Sequence, residues 1–293
     1  MAGIVVVFDF DKTILDVDSD NWVVDELGAT AVFDQLLDTM PWNILMDRMM
    51  TELHLKGKTI DNIAQVLKKV PIHPQIITAV KAAHASGCDL RIVSDANYFF
   101  IETVLEHFGI GECFSEINTN PSFVDKEGRL RISRHHDFPH GCKLCPPNMC
   151  KGLIIERIQR EVTVKKMIYL GDGAGDYCPS LRLKAEDYMM PRKNFPVWEL
   201  ICENRDIVKA EIHEWSDGDE FARILLQLIH EISREDHNDN DDDDDDENIS
   251  IKDVDCGTTS RLFTVECNNF STSAMPVHEA LPQTLPVAVP VRF

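Results

Sequence analysis

Acidic side chains follow three apolar runs of the sequence, at the point where each run ends. In chain order, these residues are Asp9, Asp11, Asp95, Asp172 and Asp176. Each Asp taken alone could cap a helix or close a turn. Carboxylates crowded at one edge of a sheet repel one another unless a cation holds them, and Mg²⁺ prefers hard oxygen ligands. The pattern therefore indicates a magnesium site.

A parallel sheet would bring these residues together. The three runs IVVVF (4–8), DLRIV (89–93) and KMIYL (166–170) lack polar alternation, which is typical of strands buried on both faces. Each run is followed by a polar or glycine-rich cluster and then by a helical pattern. Since ligands of such sheets bind beyond the carboxyl ends of the strands, we predict an α/β fold with a Rossmann-like parallel sheet and its site at that edge.

The segment between the first two strands has a different character. Residues 17–70 contain four helical patterns, with Pro41 suited to a helix first turn and Thr59 to an N-cap, and predict a small helical cap inserted after the first strand. Residues 74–87 predict a core helix closed by Gly87, and residues 123–132 predict a hairpin that turns at Glu127-Gly128. The Met-rich stretch LMDRMM is more typical of helix packing than of a ligand surface.

The predicted domains are a catalytic core of residues 1–16 and 71–235, a cap of residues 17–70, and an acidic disordered tail of residues 236–293. Residues 236–247 hold nine acidic side chains, so removing them from the net charge of −21 leaves −12. A surface this acidic disfavours nucleic acid as a partner. The tail is most simply a solvated spacer, with metal buffering or docking of a basic partner as alternatives.

Nothing in the sequence predicts a membrane-spanning segment or a secretory signal, because Asp9 interrupts a short apolar run. We therefore expect a cytoplasmic protein. Its oligomeric state is left open.

Four stretches carry a resemblance to a known superfamily. DFDKT, Ser94 at the end of the second strand, Lys151 and GDGAGD resemble the four motifs of the haloacid dehalogenase superfamily of phosphotransferases. DVDSDNW, IVSDAN, CPPNMCKG and GDGAGDYCP resemble the PHOSPHO-type (phosphoethanolamine/phosphocholine phosphatase) family. TMPWNILMDRMM and MMPRKNFPVW are similar to its plant branch, which includes phosphate-starvation-induced phosphatases, an inorganic pyrophosphatase and thiamine-phosphate-phosphatase-like proteins. The resemblance covers about residues 4–232.

The resemblance implies roles for four catalytic residues. Asp9 would attack phosphorus and form an aspartyl phosphate, and Asp11 would protonate the leaving oxygen and then activate water. Ser94 would hydrogen-bond a phosphoryl oxygen, and Lys151 would offset its charge. The acid at position 11 disfavours carbon–halogen chemistry, because the dehalogenases lack it.

The resemblance also implies a set of metal ligands. Mg²⁺ would be held by the Asp9 carboxylate, the Asp11 main-chain carbonyl and Asp172. Asp176 would orient a metal-bound water or Lys151. Thr13 would tie the loop after Asp11 or touch phosphate.

Asp20 and Asp95 match the residues implicated in substrate recognition in the PHOSPHO-type family. Two acids suit a cationic ethanolamine or choline head, whereas pyrophosphate would need a metal ion or a proton there. For Asp20, an N-cap role is an equal alternative. We expect a phosphatase for a small-molecule substrate, either inorganic pyrophosphate or phosphoethanolamine/phosphocholine. Alternatives are thiamine or pyridoxal phosphate as substrate, phosphotransfer to another hydroxyl, and a non-catalytic phosphate-binding regulator.

The stretch HGCKLCPPNMCKG places His140, Cys142, Cys145 and Cys150 close together. They could bind structural zinc, with Cys178 as a distant partner. A reduced, buried loop packed beside the catalytic lysine is the favoured interpretation. If it oxidised, the loop could displace that lysine and slow turnover. A disulfide framework is not expected from nine cysteines in a cytoplasmic chain.

Overall fold

The computed structural model describes residues 3–161 and 166–238. A six-stranded sheet runs in the order β3-β2-β1-β6-β7-β8, with every neighbouring pair parallel, and a separate antiparallel hairpin pairs β4 with β5. The strands are β1 Ile4–Phe8, β2 Asp89–Asn97, β3 Phe114–Asn120, β4 Ser122–Val124, β5 Leu130–Ile132, β6 Lys166–Gly171, β7 Tyr188–Pro191 and β8 Glu211–Ile212. The α/β parallel architecture predicted from the three apolar runs is confirmed.

The central strand β1 lacks polar alternation because both faces of the sheet are covered. All five of its residues are buried, and alternate side chains enter two separate apolar cores. Val6 and Phe8 belong to one core, while Val5 and Val7 belong to the other. Burial of each such side chain stabilises the fold by about 1.5–3 kcal/mol, which fixes the position of the strand end that follows.

Helices lie on both faces of the sheet. Their bounds are α1 Ser19–Glu26, α2 Thr30–Leu36, α3 Trp42–Leu55, α4 Ile60–Leu67, α5 Pro74–Ala85, α6 Tyr98–His107, α7 Lys151–Glu161, α8 Tyr177–Ser180, α9 Pro196–Glu203 and α10 Gly218–Asn238. Ile76 of α5 and Phe221 of α10 pack in the core of Phe8, and Ile154 of α7 and Trp198 of α9 pack in the other. Among the described residues, no helix has the length and apolar character needed to cross a membrane.

The helices α1 to α4 form the insertion between β1 and α5. Met46, Met49 and Met50 of α3 are buried in the same apolar core as β1, so the Met-rich stretch packs the insertion as expected. Thr59 caps α4 as predicted: its Oγ1 accepts from the Asn62 N–H at 3.3 Å, and the Asn62 side chain accepts from the Thr59 N–H at 3.0 Å. The exact limits of the cap as a domain stay a prediction.

A bidentate ion pair between arginine and aspartate joins the insertion to the hairpin. Arg131 of β5 donates from Nε to Asp47 Oδ1 at 2.9 Å and from Nη2 to Asp47 Oδ2 at 2.7 Å. The Ile132 N–H adds a third hydrogen bond to Asp47 at 2.9 Å. The hairpin itself forms where the sequence predicts it, with Gly128 at a φ of +80° in its turn. The insertion is therefore fixed at two sides, by the core and by the hairpin.

Two element limits differ from the predictions. Strand β2 continues to Asn97 instead of stopping at Val93, because its register with β3 shifts after Val93 and the Asn97 side chain then caps α6 by accepting from the Phe100 N–H at 3.2 Å. Helix α10 continues to Asn238 and so includes the first residues of the predicted tail. The tail from residue 239 onward lies outside the described residues.

Candidate active site

Asp9 lies where β1 leaves the sheet. Its N–H still donates to the Leu170 carbonyl of β6 at 2.9 Å, and the residue is 7% exposed. The carboxylate Oδ1 accepts from the Phe10 N–H at 2.7 Å. Burial and the nearby Asp176 raise the pKa of Asp9 well above its usual range, although Lys151 acts in the opposite direction. The strand therefore presents a confined carboxylate at the carboxyl edge, as predicted.

Lys151 connects the end of β1 to the end of β6. Its Nζ lies 2.9 Å from Asp9 Oδ1 and 2.7 Å from Asp176 Oδ1. The lysine is the first residue of α7 and is 6% exposed. Burial alone would lower its pKa, but Asp176 and Asp9 raise it above the usual value, so the ammonium stays charged. Lys151 is thus a buried cation in contact with two carboxylates.

The Asp176 carboxylate accepts four hydrogen bonds, two at each oxygen. Oδ1 accepts from Lys151 and from the Tyr169 hydroxyl at 2.7 Å, and Oδ2 accepts from the N–H groups of Asp172 at 3.0 Å and Gly173 at 2.9 Å. This packing requires glycine at position 171, where a Cβ atom would lie 2.4 Å from Asp176 Cγ. Asp176 therefore fixes the ammonium of Lys151 and the loop that carries Asp172.

Three carboxylates approach closely enough to share a cation. Ligand oxygens of Asp9, Asp172 and Asp176 lie within 4.8 Å of one another, and all three residues are buried. When all three are ionised, their negative charge exceeds the single positive charge of the Lys151 ammonium, which contacts Asp9 and Asp176. Burial and Asp176 raise the pKa of Asp172 to about 7. The cluster has the hard-oxygen donors and the charge that suit a divalent cation.

The hydrogen bonds within this cluster show which of its carboxylates have oxygens available to bind a metal ion. Because both oxygens of Asp176 are engaged by N–H and O–H donors, Asp9 and Asp172 are better placed to act as metal ligands. Thr13, whose role was left open, donates to Asp172 Oδ1 at 3.3 Å and so contributes to holding that carboxylate. The residues present therefore fit a divalent cation, with Asp176 in a supporting position.

The loop after β1 is held by an arginine that follows β7 of the same sheet. Lys12 takes a φ of +54°, and its carbonyl accepts from Nη1 of Arg192, which follows β7. The Arg192 guanidinium lies 4.5 Å from the ring centroid of Phe195 and 5.0 Å from that of Trp215. These contacts fix the turn that places Asp9 and Asp11 on the same loop.

Asp11 is partly buried and is separate from the carboxylate cluster. Its Oδ1 accepts from the Ser19 N–H at the start of α1, at 2.8 Å. Burial and the nearby Asp18 and Asp20 raise the pKa of Asp11 well above its usual range. Its carboxyl group therefore gains a proton at a higher pH than an ordinary aspartate, which suits a group that must donate a proton.

Ser94 lies on the irregular end of β2 and is 1% exposed. Its Oγ accepts from the Ala96 N–H at 3.3 Å, which orients the side chain but leaves its hydroxyl hydrogen free to donate.

Asp20 and Asp95 line one narrow pocket between the insertion and the sheet. Asp20 Oδ2 accepts from Trp42 Nε1 at 2.7 Å, whereas its buried Oδ1 has no hydrogen-bond partner among the described residues. The N-cap of α1 is Asp18, whose side chain accepts from the Asn21 N–H at 2.9 Å. The capping alternative for Asp20 is therefore wrong, because Asp18 occupies the N-cap position and Asp20 lies inside the first turn of the helix.

Asp95 is bound by two amide side chains. Asn120 Nδ2 donates to its Oδ1 at 3.2 Å, and Asn148 Nδ2 donates to the same oxygen. Burial raises the pKa of Asp95, and burial together with Asp18 raises that of Asp20 well above its usual range. The pocket thus holds two acids and a buried acceptor oxygen, which suits a cationic or protonated ligand group.

The structure brings the predicted residues into two neighbouring groups. The strand-end group contains Asp9, Lys151, Asp172 and Asp176, and the pocket contains Asp20 and Asp95. Sequence reasoning missed Tyr169, Asn148 and Trp42. A tyrosine in a fully buried strand needs a partner for its hydroxyl, so Tyr169 carried a usable signal. Asn148 and Trp42 lie in the quoted stretches CPPNMCKG and TMPWNILMDRMM, but those stretches do not reveal the side-chain contacts, which join residues distant in the chain.

The parallel sheet, the inserted helices and the strand-end aspartates agree with the fold expected from the resemblance to the haloacid dehalogenase superfamily. A family model described as "Putative Phosphatase" matches residues 4–229, and the chain belongs to this family. The PHOSPHO-type resemblance read from the motifs is confirmed.

Two relatives and one solved structure specify the similarity. Inorganic pyrophosphatase 2 of Arabidopsis thaliana is 68% identical over 237 residues, which cover 78% of this chain and 85% of the relative. Pyridoxal phosphate phosphatase PHOSPHO2 of Bos taurus is 32% identical over 241 residues, which cover 78% of this chain and 99% of that relative. A substrate-bound phosphoserine phosphatase structure has a TM-score of 0.53 at 15% identity, covers 78% of this chain and 98% of its own, and supports the fold alone.

Proposed function

We propose that this phosphatase hydrolyses small phosphate compounds, with inorganic pyrophosphate as the leading substrate, through an aspartyl phosphate formed on Asp9. The observation that carries the proposal is the contact of one buried ammonium, Lys151, with both Asp9 and Asp176 beside Asp172. This arrangement pairs a confined nucleophile with a fixed positive charge for the transferring phosphoryl group.

Mg²⁺ is the proposed cofactor. The carboxylates of Asp9 and Asp172 and the main-chain carbonyl of Asp11 would hold it. The three buried carboxylates beside Lys151, whose ionised forms carry more charge than one ammonium offsets, support a divalent rather than a monovalent cation. When bound, the ion would neutralise the charges of nucleophile and phosphate so that they can approach.

In the first step a carboxylate oxygen of Asp9 bonds to phosphorus while the bond from phosphorus to the leaving oxygen breaks. Asp11, whose pKa is raised by burial, gives its proton to that leaving oxygen. With pyrophosphate the leaving group is phosphate. Lys151 and the Ser94 hydroxyl stabilise the charge on the phosphoryl oxygens during transfer.

In the second step the Asp11 carboxylate takes a proton from water, and the water oxygen attacks phosphorus. The bond between phosphorus and Asp9 breaks, which releases phosphate and restores both aspartates. Because the attacking group is water, the net reaction is hydrolysis rather than transfer to another hydroxyl.

The similarity to Inorganic pyrophosphatase 2 at 68% identity supports pyrophosphate as the substrate. The raised pKa values of Asp20 and Asp95 are compatible with it, because protonated acids can donate to phosphate oxygens. The buried, unpartnered Asp20 Oδ1 favours a second candidate, a phosphomonoester with a cationic head such as phosphoethanolamine or phosphocholine. Thiamine phosphate and pyridoxal phosphate are further candidates.

A substrate panel tests the proposal. Purified protein with Mg²⁺ is assayed for phosphate release from pyrophosphate, phosphoethanolamine, phosphocholine, thiamine phosphate and pyridoxal phosphate. We expect the highest kcat/KM with pyrophosphate. If phosphoethanolamine or phosphocholine leads instead, the second candidate replaces the first, and Asp20→Asn should then raise KM for that ester. The absence of phosphate release from every compound would contradict the reaction.

A further inference from the structure

Four cysteines from two distant segments meet beside the catalytic lysine. The sulfur atoms of Cys142, Cys145, Cys150 and Cys178 all lie within 4.8 Å of one another. We call these four residues the thiol cluster. The first three lie in the loop before α7, and Cys178 lies in α8. No part of the proposed phosphatase reaction uses them.

The spacing of the sulfur atoms is too long for disulfides and suits a metal. The Sγ atoms of Cys142 and Cys178 are 3.6 Å apart, and those of Cys150 and Cys178 are 3.9 Å apart. A disulfide has an S–S distance of about 2.05 Å. Four thiolates placed tetrahedrally about 2.3 Å from a zinc ion are separated by about 3.8 Å. We propose that the thiol cluster binds one structural Zn²⁺ through four cysteine thiolates.

His140, the other predicted ligand candidate, is already engaged. Its Nε2 donates to the Pro146 carbonyl at 2.9 Å, and its Nδ1 accepts from the Cys142 N–H at 3.1 Å. With neither ring nitrogen free, His140 shapes the loop that presents Cys142 and does not bind the metal. The ligand set is therefore all sulfur, which is the closed set typical of structural zinc rather than the open one of catalytic zinc.

The first turn of α7 leaves room for this cluster. A Cβ atom at Gly152 would lie 2.6 Å from the Cys178 sulfur and 3.4 Å from the Cys178 carbonyl. Glycine at this position therefore lets the helix approach α8 closely enough to bring Cys150 and Cys178 together. On coordination each thiol loses its proton to solvent, and the metal is held by four thiolates.

The proposed zinc would position the active site without touching substrate. Cys150 directly precedes Lys151, and Cys178 follows Asp176 by two positions. Zinc would therefore tie the start of α7 to α8 immediately beside the 2.7 Å contact between Lys151 and Asp176. Its absence would loosen that contact, so the cluster residues are positioning residues rather than catalytic ones.

Metal content tests this proposal independently of any phosphatase activity. The full-length chain, purified in reductant without chelator, should contain one zinc per chain by elemental analysis. Titration of its thiols with an organomercurial should release that zinc to a colorimetric indicator. Cobalt(II) added to metal-depleted protein should give the intense visible bands of a tetrahedral thiolate site.

Two variants assign the ligands. Cys178→Ser should lose the zinc and the cobalt spectrum, whereas Cys113→Ser, which changes a free cysteine outside the cluster, should keep both. Both variants retain the acidic tail, so metal bound there would be unchanged. If Cys178→Ser fails to fold, the organomercurial titration of the unaltered chain still decides the question.

Three results would overturn the proposal. The unaltered chain could lack zinc and fail to take up cobalt, or Cys178→Ser could retain zinc as well as the control does. Alternatively, mass spectrometry of the alkylated, unreduced protein could find cluster cysteines joined in a disulfide in place of zinc. Loss of zinc in Cys178→Ser with normal zinc in Cys113→Ser would support it, whatever the substrate panel shows.

Discussion

The strand-end carboxylates and the thiol cluster are two groups of candidate metal ligands that differ in donor chemistry and in the charged groups that contact them. The carboxylate group has hard oxygens, and a fixed cation, Lys151, shares its charge. The thiol cluster has soft sulfurs and no ammonium among the contacts described for it. Mg²⁺ and water suit the first set, while zinc suits the second. The comparison teaches that donor chemistry and the availability of an open coordination position, rather than negative charge alone, separate a reactive site from a structural one.

Replacement of the nucleophile should have the largest effect and should leave the thiol cluster unchanged. Asp9→Asn should reduce phosphate release more than a hundredfold, because the neutral amide cannot form the aspartyl phosphate. The measurement is kcat with the best substrate of the panel. Zinc content and circular dichroism are the controls, and both should match those of the unaltered chain. Activity above about a hundredth of the original would contradict a covalent role for Asp9.

Selective metal removal should separate the two groups. EDTA treatment should abolish activity, and Mg²⁺ alone should restore it, because an open carboxylate site exchanges its ion more readily than a closed thiolate site. Activity and zinc content are measured on the same sample before and after treatment. Full activity in excess chelator would exclude a metal at the carboxylates. A requirement for added zinc as well would show that the thiol cluster exchanges its metal too.

The stabilisation of the protein by Mg²⁺ should depend on pH, with a smaller effect than the two changes above. In the metal-free protein the pKa of Asp172 is raised from 3.8 to about 7, so the folded state binds this proton more tightly than the unfolded state does. Loss of the Asp172 proton therefore lowers the stability of the folded state as pH rises from about 4 to about 7. Mg²⁺ binds the ionised carboxylate and should offset this loss of stability. The increase in Tm caused by Mg²⁺ should be larger at about pH 8 than at about pH 5.

This pH experiment has an internal control in Asp172→Asn. The variant lacks both the titrating proton and a proposed Mg²⁺ ligand, so its Mg²⁺-induced shift in Tm should be small at both pH values. A shift in Tm that is equal at the two pH values in the unaltered chain would contradict the linkage.

The smallest expected effect concerns the support of Asp176. Tyr169→Phe removes one of its four donors and should lower the free energy of unfolding by about 1 kcal/mol. Activity should fall by several fold, since the Lys151 contact at 2.7 Å is kept. Chemical denaturation and kcat are the measurements. A matched control is Tyr98→Phe, which changes an exposed tyrosine of α6 and should alter neither. Equal effects of the two substitutions would exclude a role for the Tyr169 hydroxyl.

Local sequence signals were sufficient to predict most of the fold. The unbroken apolar character of Ile4–Phe8 predicts a strand covered on both faces, and the parallel pairing with β2 and β6 agrees with it. The start of a helix could also be predicted where a capping residue such as Thr59 accepts a local hydrogen bond. The continuation of β2 past Val93 was not predictable, because it depends on a register shift against β3.

The site divides in the same way between local and distant signals. The motifs locate Asp9, Lys151 and Asp172, but the partners that fix their geometry come from elsewhere in the chain. Asp20 accepts from Trp42, and Asp95 accepts from Asn148, contacts that no local pattern encodes. Likewise the cysteine spacing around position 142 is visible in the sequence, and Cys178 was named as its distant partner, but the packing of α7 against α8 is what brings that sulfur into the cluster.

The close approach of Gly171 to Asp176 restricts which neighbouring sequences can support this chemistry. Position 171 has no room for a methyl group while the Asp176 side chain is in place. The two positions therefore cannot vary independently: a larger residue at 171 would be tolerated only alongside a smaller one at 176, and that exchange would leave Lys151 with Asp9 as its remaining carboxylate partner. Although Gly171 has no side chain, it therefore couples the evolution of position 171 to that of position 176.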